Sequence, residues 1–585
     1  MAQQTQYRVI RERNVMVPMR DGVRLATDVF RPEAPGRYPV LLNRGPYGKD
    51  GYVENPHHSV WFFPQHGYVV LSQDCRGRFA SQGDYNPLFQ EAQDGWDTVE
   101  WAARQPWSNG KVATTGQSYL GATQYTLAGS NPLPPHLATM APVSASADFH
   151  QSWVYHTGGA MEWGWMVPYA IFKGRNTLER AGRADLLAQM DEYVLPPGNF
   201  AQPLTDQWYR HLPLRDWIGR LKEAAPYFHQ YFDQELDGPY WWRINLLRNL
   251  EGVKIPLFHI SSWYDIFLEG ALNSYQAIRD RGGSPLARRH QKLLVGPWSH
   301  IRPYTEPTTG GCGDIDYGPA AAIELHQFLL RWFDYWLKNI DTGIMEEPPV
   351  SIFVMGDNRW RQENEWPLAR TQYTRYYLHG PGSANSRHGD GGLSTVPPGD
   401  EPADSYVYDP HDPVPTAGGN TLIIPFGVAD QCPVEDRQDV LVYTSDPLDR
   451  ALEITGPIQV RLYAASSAVD TDFTAKLVDV RPDGYAQNLQ DGIVRARYRT
   501  SAAQPSLIRP GQVYQYTIDL WSTSHVLQPG HRLRVEVSSS NFPRFDRNPN
   551  TGAPIGVDTR LETARQTVCH SAEYPSHIVL PIIPR

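Results

Sequence analysis

Cysteine is scarce in this chain. Only Cys75, Cys312, Cys432 and Cys569 occur in 585 residues. They lie far apart with no CxxC pair, which excludes a zinc site built on clustered thiolates. Scarcity suits a reducing compartment and leaves a long-range disulfide open. Long apolar runs are missing as well, so no stretch reaches the 18 or more residues of a membrane-crossing helix. Basic residues are outnumbered, 53 Lys and Arg against 63 Asp and Glu, for a formal net charge of −10. That balance argues against nucleic acid as a partner. There is no phosphate-cradling glycine loop and no dinucleotide fingerprint, so neither a metal nor an organic cofactor is expected. The start, MAQQTQYRVIRERNV, is polar and has no apolar signal core. The cytoplasm is the expected location.

What the chain does have is length for two to four domains and a heavy aromatic load, with 18 Trp, 32 Tyr and 19 Phe. Residues 1–148 read as strands alternating with helices. Asp21-Gly22 signals a hairpin, and "YPVLLNRGPYG" and "GYVVLSQDCRG" are short apolar runs suited to buried parallel strands. Residues 149–249 turn to Trp, Tyr, Leu and charge with helical spacing, and predict an inserted helical cap. The α/β texture returns over 250–347, where Leu325, Phe328, Leu329, Trp332 and Trp336 share one helix face. Pro348-Pro349 marks a boundary. From 348 to 585 the runs are strand-like, "SIFVMG" first among them, and predict a β-sandwich. Self-association through this aromatic-rich β region is left open.

The chemistry centres on "GQSYLG", residues 116–121. A serine on a sharp strand-to-helix turn can present its hydroxyl above an α/β sheet, with small residues allowing strand and helix to approach. Gly116 stands two before Ser118. The second glycine of the usual pattern is replaced by Leu120, and Gly121 follows one place late. A helix N-cap is the other use of such a serine. Two later strand ends supply partners, Asp265 after "LFHISSWY" and His300 after "KLLVGPWS". Serine, aspartate and histidine in that order, each at the carboxyl end of a strand, form the constellation of a hydrolase triad. His300 would take the serine proton and return it to the leaving group, and Asp265 would hold the imidazole. The backbone N–H of Tyr119 offers one donor to an oxyanion. The loop "NRGPYGKD" offers another through Tyr47, or else simply packs that ring.

Those residues, with "RGPYG" (44–48), "QDCRGRFASQGDY" (73–85), "SSWYDIF" (261–267), "GPWSH" (296–300) and "RWFDYWLK" (331–338), make the chain resemble the cocaine esterase and α-amino acid ester hydrolase family, which includes Xaa-Pro dipeptidyl-peptidases. The resemblance runs nearly end to end. It implies an α/β-hydrolase core, a helical cap and a C-terminal jelly-roll β-sandwich. It also implies Ser118, Asp265 and His300 as triad, with Tyr47 and Tyr119 completing the oxyanion hole. Amino-ester hydrolases of the family set acidic residues beside the triad to hold a substrate ammonium. Here Leu120 replaces the acid of the nucleophile motif, and Ile266, Phe267 and Leu268 follow the aspartate. Glu162 and Glu269 are the remaining acids that could serve. The expectation is therefore a small-molecule ester or amide with an apolar acyl group. Its pocket would be lined by Phe267, Leu120, Trp153, Trp163, Trp165 and Met166. The alternatives are aminoacyl hydrolysis and a non-catalytic binding protein that uses its β half.

Overall fold

The computed structural model of the chain describes residues 6–55, 58–193, 206–217, 219, 222–300, 310–422 and 426–585. Strands β1 (Val9–Pro18) and β2 (Arg24–Pro32) form an antiparallel hairpin that turns at Asp21-Gly22. After them come β3 (Tyr38–Gly45), β4 (Val69–Asp74), β5 (Ser108–Gln117), β6 (Leu137–Val143), β7 (Phe258–Tyr264) and β8 (Lys292–Ser299). These six run parallel, and the spatial order is β1-β2-β4-β3-β5-β6-β7-β8. Every residue of β4, β7 and β8 is buried. That is why they read as continuous apolar runs, since helices cover both faces of a parallel sheet. The helix Leu325–Lys338 packs on β5 and β6 with Leu325, Leu329, Trp332, Phe333 and Leu337 turned inward.

Between β6 and β7 the chain makes the helical cap. Its main helix, Trp163–Arg180, is followed by Ala184–Tyr193 and then by short helical pieces. Within the stretch 149–249 read above as helical, LRDWIGRLKEAA (214–225) forms an α-helix only over Leu214–Trp217 among the described residues; 218, 220 and 221 lie outside them. The interior of the cap is rich in aromatic rings, with Trp153, Trp163, Trp165, Trp217, Phe228 and Trp241 in one buried cluster.

One strand expected in the sandwich joins the first sheet. β9 (Val350–Val354), read above as a sandwich strand, pairs parallel with β8, and β10 (Arg359–Glu363) pairs antiparallel with β9. Both extend the first sheet to ten strands. The run VSIFV is apolar enough for either sheet, so hydropathy alone does not choose. The C-terminal unit begins with the strand Gln372–His379 and comprises eleven strands, mostly antiparallel, around a core of Leu462, Phe473, Leu477, Tyr516 and Val535.

The two units meet where the helix Leu268–Arg281 faces the strand Tyr514–Leu527. Glu269 of that helix lies beside Asp519 of that strand. Burial, and then the Asp519 carboxylate, push the Glu269 carboxyl up to about 8. An acid whose pKa is raised by folding holds its proton better in the folded chain. Its stabilisation is complete below the ordinary value of ~4.3 and is lost as pH climbs towards 8. Glu269→Gln, neutral at every pH, is expected to gain in denaturation midpoint over the native chain between pH 5 and pH 8.5. Parallel midpoints for the two proteins across that interval would refute the pairing.

Candidate active site

At the end of β5 the chain turns through Ser118 at φ 61° and ψ −125°, and the helix Tyr119–Ala128 begins at once. Ser118 occupies the N-cap position, yet its hydroxyl makes no capping bond. The hydroxyl is therefore left for other partners. An L-residue rarely adopts this backbone conformation, which persists only where the surroundings enforce it. They do so by close packing. A Cβ on Gly116 would lie 2.5 Å from the Leu120 Cβ, and one on Gly121 would lie 2.6 Å from the Ala145 Cβ and 2.9 Å from the Val143 carbonyl. Gly121, one place later than the usual pattern, supplies the close approach of helix to β6. The Ser118 amide donates to the Val143 carbonyl at 2.9 Å and ties the turn to that strand.

Asp265 and His300 follow β7 and β8. His300 Nδ1 lies 3.1 Å from Asp265 Oδ1, with both side chains almost wholly buried. An ionised carboxylate only accepts, so against it Nδ1 is the donor, and in the neutral imidazole Nε2 is then the acceptor. Asp265 Oδ1 also accepts from the Phe267 amide at 2.7 Å, which fixes the carboxylate plane. Gln117, directly before the serine, donates its side-chain amide to the His300 carbonyl and brings the two strand ends together. Among the described residues the Ser118 hydroxyl is hydrogen-bonded to Tyr47 and not to His300. Their oxygens are 3.4 Å apart. Long or unmade contacts of this kind are common in ligand-free sites and tighten with substrate. The Tyr119 amide also faces the Tyr47 phenol. Burial raises the pKa of that phenol, and its hydrogen bonds to Ser118, Tyr169 and Tyr119 lower it again.

Not every pocket candidate reaches this centre. Phe267 stands edge-on to the His300 ring at 5.2 Å and stacks on Trp153 at 5.0 Å, with 7° between the planes. Trp165 meets both edge-on, at 4.9 Å from Trp153 and 5.6 Å from Phe267. Met166 belongs to the same apolar cluster. Trp163 instead packs in the cap interior against Trp217 and Phe228, with its indole N–H on the Tyr209 carbonyl. Leu120 fills the space beneath the turn, against Gly45 and Gly116. Of the acids considered for a substrate ammonium, Glu162 lies 2.9 Å from His156 Nδ1 and 3.9 Å from Arg544, while Glu269 lies beside another acid, Asp519, and forms no ion pair among the described residues.

Three contributors escaped the sequence. Besides Gln117, the C-terminal unit reaches into the site through Asn420 and Gln490. Asn420 Nδ2 donates to the Trp263 and Asp265 carbonyls at 2.9 and 3.1 Å, and Gln490 Nε2 donates to the Trp263 carbonyl at 2.8 Å. Contacts across more than 150 residues of chain have no local signature. No group of three or more His, Cys, Asp or Glu able to hold a metal occurs among the described residues. No helix among them is long and apolar enough to cross a membrane.

With this geometry in view, comparisons with known proteins agree along the whole chain. A family model described as X-Pro dipeptidyl-peptidase (S15 family) matches residues 21–302, and one described as X-Pro dipeptidyl-peptidase C-terminal non-catalytic domain matches residues 342–579. Cocaine esterase of Rhodococcus sp. (strain MB1 Bresler) is 42% identical over 98% of this chain and 98% of its own. Among solved structures, an α-amino acid ester hydrolase is similar with a TM-score of 0.80 at 28% identity, covering 100% of this chain and 98% of that one. An aminopeptidase from a marine sediment Thaumarchaeota archaeon has the same coverage, with a TM-score of 0.83 at 25% identity.

Two substitutions probe the supports of the site. Gly121→Ala forces a methyl against Ala145 and is expected to cost about 1–3 kcal/mol of stability. Gly51→Ala, where nothing lies within 4 Å, serves as the neutral control; equal denaturation midpoints for the two variants would contradict the packing argument. Asn420→Ala strips a donor from two buried carbonyls, a loss of about 1–3 kcal/mol. It should lower kcat, because one of those carbonyls belongs to Asp265. Unchanged kcat and unchanged stability together would show that the C-terminal unit does not brace this loop.

Proposed function

The chain belongs to the family of cocaine esterase and the X-Pro dipeptidyl-peptidases, and from that premise we propose that it hydrolyses carboxylic esters through an acyl-enzyme on Ser118. The observation that carries the proposal is the Asp265–His300 pair, 3.1 Å apart and buried, set beside a serine on a strained turn. His300 Nε2 removes the Ser118 proton as Oγ attacks the ester carbonyl carbon. Asp265 keeps the imidazole in the tautomer that makes this possible and stabilises the imidazolium that results. Negative charge gathers on the carbonyl oxygen, where the Tyr47 hydroxyl and the Tyr119 amide can donate to it. Collapse of the tetrahedral intermediate expels the alcohol, which takes the proton from His300. Water then repeats the sequence on the acyl-enzyme and releases the acid.

The acyl group best matched to this site is apolar or aryl. Phe267 stands edge-on to His300, and Trp153 and Trp165 pack on Phe267 behind it. An aromatic wall of this kind suits flat apolar groups through burial and edge-to-face contact. Aminoacyl hydrolysis is the second reading, favoured by the similarity to the α-amino acid ester hydrolase and the aminopeptidase. It needs a carboxylate free to meet the ammonium, because an unpaired buried charge is costly. The pairing of Glu162 with His156 and Arg544 counts against that acid, whereas Glu269, beside Asp519 and without an ion pair among the described residues, is the acid this second reading would use. The scarcity of cysteine in the sequence supports a cytoplasmic location as part of this reading.

The test compares kcat/KM for two 4-nitrophenyl esters of similar size, one with a neutral aryl or short acyl group and one with a free α-amino acyl group. A preference of at least tenfold for the neutral ester is expected, and Ser118→Ala should lower kcat by about 10⁴–10⁶-fold with the fold intact. A strong preference for the free amine would move the function to aminoacyl hydrolysis. Undiminished turnover by the alanine variant would move the nucleophile elsewhere.

A further inference from the structure

Lys173 lies in the middle of the cap helix Trp163–Arg180 and is 1% exposed. Its Nζ sits 3.4 Å from the centroid of the Tyr47 ring, with the Phe172 and Tyr169 rings at 4.5 and 5.2 Å. It donates to the Pro46 carbonyl at 3.2 Å. Among the described residues no carboxylate forms an ion pair with it. The charged side chain nearest in effect is Arg78, another cation, itself 1% exposed, which donates to Thr177 and lies over the Tyr85 ring.

A buried ammonium with no counter-charge is unfavourable. Burial first, and then Arg78, push the Lys173 pKa well below the usual lysine range. A fold keeps such a group at least cost where the compensating charge arrives only during reaction. Here it would arrive at the other end of the ring that Lys173 covers. The Tyr47 hydroxyl is 3.4 Å from the Ser118 oxygen, next to the carbon that Ser118 attacks and the oxygen that becomes negative. A cation over a phenol ring draws electron density from it and strengthens the O–H as a donor.

We propose that Lys173, in its protonated form, is a positioning residue for the oxyanion donor, holding the Pro46–Tyr47 segment through the carbonyl and strengthening the Tyr47 hydroxyl through its charge on the ring face. The cap would then do more than enclose substrate, because one of its helices sets the strength of the oxyanion hole. No bond to Lys173 forms or breaks during turnover. The inference rests on ester hydrolysis at Ser118 as proposed above.

A double-mutant cycle tests it, with kcat and KM measured on a neutral 4-nitrophenyl ester. Lys173→Met is expected to lower kcat by about 10–10²-fold, with KM within about twofold of native. Lys173→Arg, which keeps the charge, should recover most of the loss. Lys173→Gln, which keeps a donor for Pro46 without the charge, should recover only part. In the Tyr47→Phe background the ring remains and the hydroxyl is gone, so Lys173→Met should change kcat by less than about twofold. An equal loss in both backgrounds, a loss confined to KM, or arginine no better than methionine would overturn the proposal while leaving ester hydrolysis standing. A native chain inactive on the ester would overturn the function, and this proposal with it.

Discussion

A serine at φ 61° and ψ −125° has to be held there. The conformation costs of order 1–3 kcal/mol relative to an ordinary backbone, and the surrounding sheet over-determines it. Two glycines make the holding possible. Gly116 leaves room for Leu120 to tuck beneath the turn, and Gly121 lets the helix come down onto the end of β6. Everything else in the site is measured from this turn. Tyr47 meets the hydroxyl from the end of β3, and Gln117 ties its own strand end to His300. A looser turn would leave each of these partners in place and the serine out of reach.

The site belongs to no single unit of the chain. The α/β sheet supplies Ser118, Asp265, His300 and Tyr47. The cap supplies Trp153 and Trp165, which close on Phe267 beside the imidazole. The C-terminal sheet supplies Asn420 and Gln490, which hold the carbonyls of the segment that carries the aspartate. Buried carbonyls need donors, and these two lie at a register break near the end of β7 and just beyond that strand. A neighbouring unit fills the vacancy.

Much of this was legible in the sequence, for reasons that differ by residue. Strand ends announce themselves, since a short apolar run closing on a polar residue marks both Asp265 and His300. The hairpin at Asp21-Gly22 and the cap between β6 and β7 are legible in the same way. Hydropathy does not assign VSIFV to a sheet, and β9 joined the first sheet instead of the second. Trp163 and Trp165 are indistinguishable by type, yet two positions on a helix differ by about 200°, and they face different neighbours. Leu120 lies across the strand-to-helix turn from Gly116 and packs back against it. Lys173 reads as one more charged residue on a helix until the ring of Tyr47 is placed under it.

The brace from Asn420 and Gln490 also bears on synthesis. A chain leaves the ribosome from its N-terminus and folds by units as they emerge. The serine, aspartate and histidine are all made before residue 301, and the sheet that carries them could form early. The donors for the aspartate segment arrive more than a hundred residues later. A nascent chain that has already built its α/β sheet therefore still lacks the donors that Asn420 and Gln490 bring to the Trp263 and Asp265 carbonyls.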